Sequence, residues 1–228
     1  MSMNIFDTMI TKDAAGNRAT VSPGYINSVI AKSHGNDSDR IVRVFDFVTE
    51  SATSTALLWT ENTTLTVVAG KAVLTTAGSN ADPSSLTSVT AWATRAKVPY
   101  TESVVSLAAL AKAAVNFGFY FDANNYAELV YDVAVGTTWR MNFKGGGSAQ
   151  TIDTGVTMLA ATETKLGVMI DKQGLPWFAI NDVKYAVPST VTERISASAL
   201  KNRVVVTESE AVAKVLTVSY IEYAFNKQ

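Results

Sequence analysis

The chain has 228 residues, of which 47% are hydrophobic and 17% charged, and its formal net charge is −1 at pH 7. The hydrophobic content excludes a chain that is disordered throughout, and the near-zero charge argues against a nucleic-acid partner held by a basic surface. Because there are no cysteines and a single histidine, His34, the sequence excludes disulfides, thiolate metal sites and any site that needs two histidines.

The residue composition favours β-strands. Val and Thr occur 27 times each and the aromatic residues add 21, so about a third of the chain consists of typical strand residues. No segment reaches the roughly 18 consecutive apolar residues of a membrane helix, so we expect no membrane partner. The N-terminus lacks a basic region followed by an apolar run, so we expect no secretory signal and synthesis in a host cytoplasm.

Residues 1–40 differ in character from the rest of the chain. Their apolar residues are scattered, and four basic residues balance four acidic ones. Ser22 is a suitable N-cap, Pro23 suits the first helical turn and Gly35 can end a helix, so we predict one short helix here. We therefore divide the chain into an N-terminal arm, residues 1–40, and a β-sandwich domain, residues 41–228.

From Ile41 onward the patterns predict strands separated by turns. The predicted strands are 41–48, 65–68, 71–76, 88–96, 103–110, 115–121, 126–135, 138–144, 165–171, 176–181, 203–207 and 214–225. Residues 103–114, SVVSLAALAKAA, also fit a short helix, whereas residues 78–85, GSNADPSS, have the composition of a loop. Tight turns are predicted at Ala69-Gly70 and Asn181-Asp182.

Alternation of apolar residues predicts which side chains share a face of the sheet. The three predicted sets are Val115, Phe117, Phe119 and Phe121; Leu166, Val168 and Ile170; and Val215, Ile221, Tyr223 and Phe225. About thirteen short strands, with turn signals roughly every 8–12 residues, predict an all-β fold: a two-sheet antiparallel β-sandwich of jelly-roll type. Two separate β-domains stay open as an alternative, with residues 78–85 as the candidate linker.

Four stretches of the domain resemble the concanavalin A-like lectin/glucanase family. They are LLWTENTTLTVVAGKAVLTTAG (57–78), VNFGFYFDANNYAELVYD (115–132), WRMNFKGGGSAQTIDTGV (139–156) and ETKLGVMIDKQGLPWFAINDVKY (163–185). The first contains the strand pair V-x-x-G-x-x-x-L, and the last contains D-x-x-G-x-x-x-F-x-I-N. The resemblance concerns strands and turns and contains no active-site motif. It implies a jelly roll of two large antiparallel sheets.

The resemblance implies that a glucanase of this kind would place two carboxylates on one strand face, in an E-x-D-x-E or E-x-D-x-x-E pattern. The nearest candidates are Glu128 with Asp132 and Glu208 with Glu210. Four residues along a strand separate the first pair by roughly 13 Å, which is too far for an acid and a nucleophile. The second pair is closer, about 7 Å, but its segment is typical of a solvated turn. We therefore expect no catalytic residues and no enzyme activity.

The lectin branch of the family implies a calcium loop of Asp, Asn and a backbone carbonyl. Asp122, Asn124 and Asn125 offer hard oxygen ligands at a plausible spacing. The same run, DANN, is typical of a β-turn, which is the interpretation we favour. We accordingly expect no metal and no other cofactor.

Three further features have a structural and a functional interpretation. Trp59, Trp92, Trp139 and Trp177 could stack on sugars, but their apolar strand contexts favour core packing. KGGGS, residues 144–148, is better explained as a hairpin tip than as a phosphate cradle. His34 lies near the end of the predicted helix, where it can interact with the terminal carbonyls.

These observations leave three functions open. We favour a non-enzymatic structural protein of a bacteriophage particle, such as a capsid decoration or cement, fibre or tail component. It would be located in the virion and contact other virion proteins, or copies of itself, through the arm. The alternative is a lectin-like module that binds a glycan in host recognition, and a glycan-active enzyme ranks last. Exposed aromatic residues clustered on the concave sheet face would favour sugar binding.

Overall fold

The computed structural model describes residues 11–12, 18–19, 40–47, 59–62, 65–78, 83–88, 94–196 and 199–226. In this part of the chain the strands, in order, are β1 Thr11–Lys12, β2 Arg18–Ala19, β3 Arg40–Asp46, β4 Trp59–Asn62, β5 Leu65–Val68, β6 Lys71–Thr75, β7 Ser84–Ser88, β8 Tyr100–Leu107, β9 Ala113–Asp122, β10 Asn125–Asp132, β11 Thr138–Gly145, β12 Gln150–Thr157, β13 Thr164–Ile170, β14 Pro176–Ile180, β15 Val183–Ala186, β16 Lys201–Glu208 and β17 Val215–Asn226. The described segments contain no helix that is long and apolar enough to cross a membrane.

The strands form two large antiparallel sheets. One has seven strands in the order β12-β11-β10-β9-β16-β7-β4. The other has eight: seven in the order β15-β14-β13-β8-β17-β6-β5, and β3, which also pairs with β17. A separate two-stranded ladder joins β1 and β2. The prediction of an all-β, two-sheet antiparallel sandwich is confirmed.

The core lies between the two sheets and is built by alternation along their strands. In β9 the side chains of Val115, Phe117 and Phe119 are fully buried. In β13 the predicted inward set, Leu166, Val168 and Ile170, is also fully buried. Both sets belong to one continuous apolar cluster, so the period of two in the sequence specifies which face of each strand is inside.

Two hairpins have the turn chemistry that their sequences predict. Ala69 and Gly70 both have positive φ angles, of 50° and 73°, between β5 and β6. Asn181 and Asp182 have φ angles of 49° and 68° between β14 and β15. Two successive positive φ angles are the mark of a type I′ turn, whose twist matches that of the flanking strands.

Two predictions about the elements need correction, and a third lies outside the described residues. Residues 103–114 do not form a helix: β8 ends at Leu107, and β9 begins at Ala113 after a turn. The strand predicted at 88–96 is displaced: β7 spans Ser84–Ser88 and so begins within the predicted loop, and Arg95–Lys97 is a single 3₁₀ turn. Residues 89–93 lie outside the described residues. The predicted helix between Ser22 and Gly35 lies outside the described residues.

Two predicted faces are also wrong at one position each. Phe121 is 48% exposed, whereas Phe117 and Phe119 are core residues. Tyr120 lies opposite Tyr126 and Asp122 lies opposite Asn125, so Phe121 is the extra residue of a β-bulge and leaves the alternation of β9. Val215 does not share a face with Ile221, because the register of β17 shifts between Val218 and Ile221. Such a β-bulge adds one residue and reverses the alternation beyond it.

The patterns did not predict β4, β12 and β15. The longest of these, β12, contains mostly polar and small residues and alternates between exposed and half-buried positions at the edge of its sheet. The division into an arm and a sandwich domain stays a prediction. The strand β3, which begins at Arg40, pairs with β17 along seven register positions.

Gly118 provides a test of the close approach between β9 and β10. Its φ is +149°, and a Cβ atom there would lie 2.3 Å from the carbonyl oxygen of Ala127. We expect Gly118→Ala to lower the free energy of unfolding by about 2 kcal/mol or more, since the backbone of β9 or β10 must move to relieve this contact. Gly136→Ala is the matched control, because its Cβ would meet only Arg140 Nη1, at 3.5 Å. Equal denaturant midpoints for the two variants would contradict this account.

Candidate functional site

The outer face of the seven-stranded sheet brings polar side chains of three neighbouring strands together. Glu128 in β10 lies opposite Gly118 in β9, and Gly118 lies opposite Arg203 in β16. Since Gly118 has no side chain, nothing stands between the carboxylate and the guanidinium on either side of it. The glycine therefore allows a direct ion pair between β10 and β16, two strands that are not neighbours in the sheet.

This ion pair is bidentate, and its carboxylate is almost completely buried. Arg203 Nε donates to Glu128 Oε1 at 2.8 Å, and Arg203 Nη2 donates to Glu128 Oε2 at 2.9 Å. Asn116 Nδ2 donates to Oε2 at 3.1 Å, and Glu128 is only 2% exposed. Burial raises the pKa of Glu128 above its usual value, while Arg203 and Asn116 act in the opposite direction. Two parallel N–H donors fix the guanidinium in one orientation.

A groove of about 490 Å³ lies beside the ion pair on the same face. It is lined by Pro83, Ser85, Thr87, Tyr120, Phe121, Lys201, Arg203 and Val205. The guanidinium carbon of Arg203 stands 3.6 Å from the centre of the Tyr120 ring, so the ring and the ion pair hold each other in place. Phe121, half exposed, completes an aromatic pair next to two cations. This combination of aromatic and polar side chains can bind a polar organic ligand.

The carboxylates considered as catalytic pairs have other partners. Asp132 Oδ1 accepts the backbone N–H of Ala134 at 2.9 Å and so shapes the turn after β10. Glu208 is buried on the inner side and accepts the Thr76 hydroxyl, whereas Glu210 pairs with Lys214. Neither predicted pair is thus free to face a substrate as acid and nucleophile. The expectation that they are not catalytic stays a prediction, which these contacts support.

The candidate calcium loop has the contacts of a hairpin turn. Asp122 Oδ1 accepts the backbone N–H of Asn124 at 2.8 Å and faces Asn125 Nδ2 at 3.5 Å. Asn124 Oδ1 accepts the ammonium of Lys144 at 2.8 Å. Among the described residues, no group of three or more His, Cys, Asp or Glu side chains is placed to hold a metal ion. These oxygens serve the turn between β9 and β10.

KGGGS joins β11 to β12 as a hairpin, and its amides bind a carboxylate of the same chain. Glu193 Oε1 accepts the N–H groups of Gly145 at 2.7 Å and of Gly147 at 2.9 Å. A side chain at Gly145 would collide with the backbone carbonyl of Arg194, which explains why a glycine stands there. These N–H groups of the hairpin tip are therefore occupied by a carboxylate of the same chain.

Aromatic residues other than the tryptophans line the groove. Trp139 is fully buried in the core, with its ring centroid 6.0 Å from that of Tyr131. Trp177 lies half-buried in β14 of the other sheet. Trp92 and His34 lie outside the described residues, and only the backbone of Trp59 is described. The alternation in the sequence predicts Phe121 as a core residue and gives no signal for Tyr120. The adjacent DANN turn is the signal that the alternation ends near this point, and the register of β9 shifts at Phe121.

Comparisons with known proteins identify the architecture. No protein-family model matches the chain, and no curated protein matches it in sequence. Among solved structures, a protein of unknown function from Shewanella oneidensis MR-1 superposes with a TM-score of 0.63 at 9% identity, over 92% of this chain and 97% of that one. The carbohydrate recognition domain of Emp46p gives a TM-score of 0.59 at 10% identity, over 78% and 95%. A Bacillus licheniformis β-glucanase gives 0.59 at 11% identity, over 82% and 98%.

The chain has the concanavalin A-like lectin/glucanase fold. The resemblance seen in the four sequence stretches is confirmed at the level of the fold. At such low identities the superpositions establish only the architecture of this concanavalin A-like sandwich.

A second cluster of ionisable groups lies on the eight-stranded sheet of the concanavalin A-like sandwich. Glu102 in β8 is directly opposite Glu222 in β17, and they are 2% and 1% exposed. Glu102 accepts the hydroxyl of Tyr100 at 2.5 Å and that of Tyr220, and its Oε1 lies 3.5 Å from Lys165 Nζ. In contrast, Oε1 of Glu222 is buried and has no hydrogen-bond partner among the described side chains.

These contacts indicate which of the two carboxyl groups carries the negative charge. Burial raises the pKa of Glu102 to about 7, although Tyr100, Tyr220 and Lys165 counteract it. Burial, and then the charge of Glu102, raises the pKa of Glu222 to about 8. Glu102 has the donors that suit a carboxylate, so we assign the negative charge to Glu102 and the shared proton to Glu222 at neutral pH.

The raised pKa values predict how the stability of the fold depends on pH. A carboxyl with a higher pKa in the folded chain binds more protons when folded, so the free energy of unfolding falls as the pH rises from 4.5 to about 8. We expect this decrease to be a few kcal/mol. Glu222→Gln keeps the shape of the protonated group and should be more stable than the parent chain at about pH 9, with a flatter profile.

Denaturant unfolding at a series of pH values measures both effects. Glu163→Gln is the control, because Glu163 is exposed in its ion pair with Lys71 and its removal should leave the profile nearly unchanged. Parallel profiles for Glu222→Gln and the parent chain would contradict the assignment of the proton.

Proposed function

We propose that this chain is a non-enzymatic glycan-binding protein, and that the groove beside Tyr120 and Phe121 is its binding site. The observation that carries this proposal is the juxtaposition, on one outer sheet face, of a half-exposed aromatic ring with fixed polar groups. The apolar face of a sugar ring packs on an aromatic ring, and its hydroxyls need donors and acceptors around the edge. Phe121 supplies the ring, while Ser85, Thr87 and Arg203 supply polar groups.

The contacts of Glu128 favour binding over hydrolysis. Hydrolysis of a glycosidic bond normally requires two carboxyl groups that flank the bond, one of them able to give up a proton to the leaving oxygen. Glu128 is clamped by Arg203 and Asn116, and Val130 occupies the next outward position on the same strand. Asp132, the one after that, is engaged in its turn.

The structural neighbours are consistent with this proposal but describe other proteins. One is named as a carbohydrate recognition domain and another as a β-glucanase. Their shared architecture shows that a sandwich of this shape is compatible with sugar ligands, and the residues of the groove carry the argument for this chain.

Removing the exposed ring tests the site. We expect Phe121→Ala to weaken binding by about tenfold or more, because the ring offers the main apolar contact to a sugar. Retention on a panel of immobilised oligosaccharides, followed by titration calorimetry with the best ligand, measures the change. Val183→Ala, an exposed apolar residue on the other sheet, is the matched control. The bound oligosaccharide should be recovered uncleaved.

Two outcomes would contradict the proposal. The first is that the panel retains no oligosaccharide above the level of an unrelated protein. The second is that Phe121→Ala and Val183→Ala bind equally well.

We further propose that the protein serves in a bacteriophage particle, as a decoration, fibre or tail component. The support comes from the sequence: residues 1–40 are polar with scattered apolar side chains, so they suit an arm that contacts neighbouring subunits. The described chain resumes at β3, which pairs with β17, so such an arm would be tethered to the eight-stranded sheet. Glycan binding and a place in a virion are compatible, because a component of the particle that binds a glycan on the host surface would serve host recognition.

Deletion of residues 1–39, which retains β3, separates the two possible roles of the arm. If its contacts are intermolecular, the truncated protein should keep a similar melting temperature but fail to assemble into oligomers or particles. Calorimetry and sedimentation measure the two properties. Loss of the folded state on truncation would show that the segment belongs to the protein's own core.

A further inference from the structure

Two adjacent rows of residues cross the outer face of the seven-stranded sheet next to the groove. The first row runs over four strands: Lys144 in β11, Tyr126 in β10, Tyr120 in β9 and Lys201 in β16. In the second row Asn142, Glu128, Gly118, Arg203 and Thr87 follow one another across five strands. The groove thus lies where two tyrosines are flanked by lysines and a buried ion pair runs alongside.

These rows contain more positive than negative charge. Lys144, Lys201 and Arg203 are cations, and Glu128 is the one carboxylate in the two rows. Glu128 compensates Arg203, and the partner of Lys144 is the uncharged amide of Asn124. At the groove itself, Lys201 therefore supplies a positive charge that no carboxylate of these two rows balances.

Donors with no partner stand at the same place. Arg203 uses Nε and Nη2 for Glu128, which leaves its Nη1 without a hydrogen bond to the described part of the chain. Within that same part, the ammonium of Lys201 has neither an ion-pair nor a hydrogen-bond partner. Both side chains line the groove. A ligand with two or more acceptor oxygens on one anionic group matches such a pair of donors.

The arginine is already fixed before any ligand arrives. Its guanidinium is held by the two bonds to Glu128 and by the ring of Tyr120 at 3.6 Å. A prearranged cation loses little side-chain entropy on binding, so it contributes more to affinity than a mobile surface lysine. Glu128 is the group that orients Arg203, so a carboxylate beside the groove is compatible with an anionic ligand in it.

We infer that the ligand of this groove is an acidic glycan, a sugar carrying a carboxylate or a sulfate that Lys201 and Arg203 bind while Phe121 packs on the ring. This inference rests on the proposed glycan-binding function and names its ligand class. The sugar ring supplies the apolar contact, and the acidic substituent neutralises the surplus charge. A neutral sugar satisfies only the first of these.

Matched neutral and acidic probes test the inference. The probes are an oligogalacturonate with its methyl ester and a sulfated dextran oligosaccharide with plain dextran, so that the two arms distinguish carboxylate from sulfate. We expect at least one acidic probe to bind about fivefold or more tightly than its neutral partner at low salt, with the difference shrinking as salt increases. Lys201→Gln should remove most of this difference, because it should lower the affinity for the acidic probe much more than the affinity for its neutral partner.

The control variants separate the groove from general attraction of anions. Lys184→Gln changes an exposed lysine in β15, on the other sheet, and should leave all four affinities unchanged. Phe121→Ala should weaken the binding of the acidic and the neutral probes by a similar factor. If acidic and neutral probes bind equally, or if Lys184→Gln has the same effect as Lys201→Gln, the inference is wrong while glycan binding itself stands. If none of the four probes and none of the panel oligosaccharides binds, the proposed function fails, and the inference fails with it.

Discussion

The pairing of Glu128 with Arg203 across Gly118 determines the character of the outer face of the seven-stranded sheet. A buried carboxylate without a cation would cost several kcal/mol, so these two residues depend on each other. They can meet only because the strand between them carries a glycine at the register position that separates them. That glycine also lets β9 approach β10 more closely than a Cβ atom would allow. One small residue therefore governs the strand packing and the placement of the charged groups.

The two sheets deal with buried carboxyls in opposite ways. On the seven-stranded sheet an arginine meets Glu128 with matched geometry, and the ion pair stays charged. On the eight-stranded sheet Glu102 and Glu222 face each other, and Lys165 is shared with Asp182 at 3.0 Å. Among the described side chains, Lys165 is the one cation beside these three acids and cannot neutralise all of them, so Glu102 and Glu222 together retain a proton. The first arrangement orients a donor toward the groove, whereas the second makes the stability of the fold depend on pH.

Sequence patterns predicted the parts of the fold that depend on local alternation and turn chemistry. Val115, Phe117 and Phe119, or Asn181 with Asp182, carry their own signals because each conformation is specified within a few residues. The bulge in β17 and the polar edge strand β12 carry no such signal, because a neighbouring strand decides them. The candidate site is harder to predict from the sequence than the fold. Glu128 was recognised as a notable carboxylate, but its partner is 75 residues away in the sequence, and only the strand order brings the two together.

The position of Phe121 shows how the same fold acquires a binding surface at the end of a core strand. Through Phe119, the alternation of β9 is enforced by the opposite sheet, which covers each inward side chain. Beyond Phe119 the register between β9 and β10 shifts, so Phe121 is the extra residue of a β-bulge and its ring is left half exposed beside the groove. Because Phe121 is 48% exposed, it keeps only part of the roughly 1.5–3 kcal/mol that full burial of such a ring contributes. The exposed part of the ring lies against the groove, where the proposed glycan would pack on it.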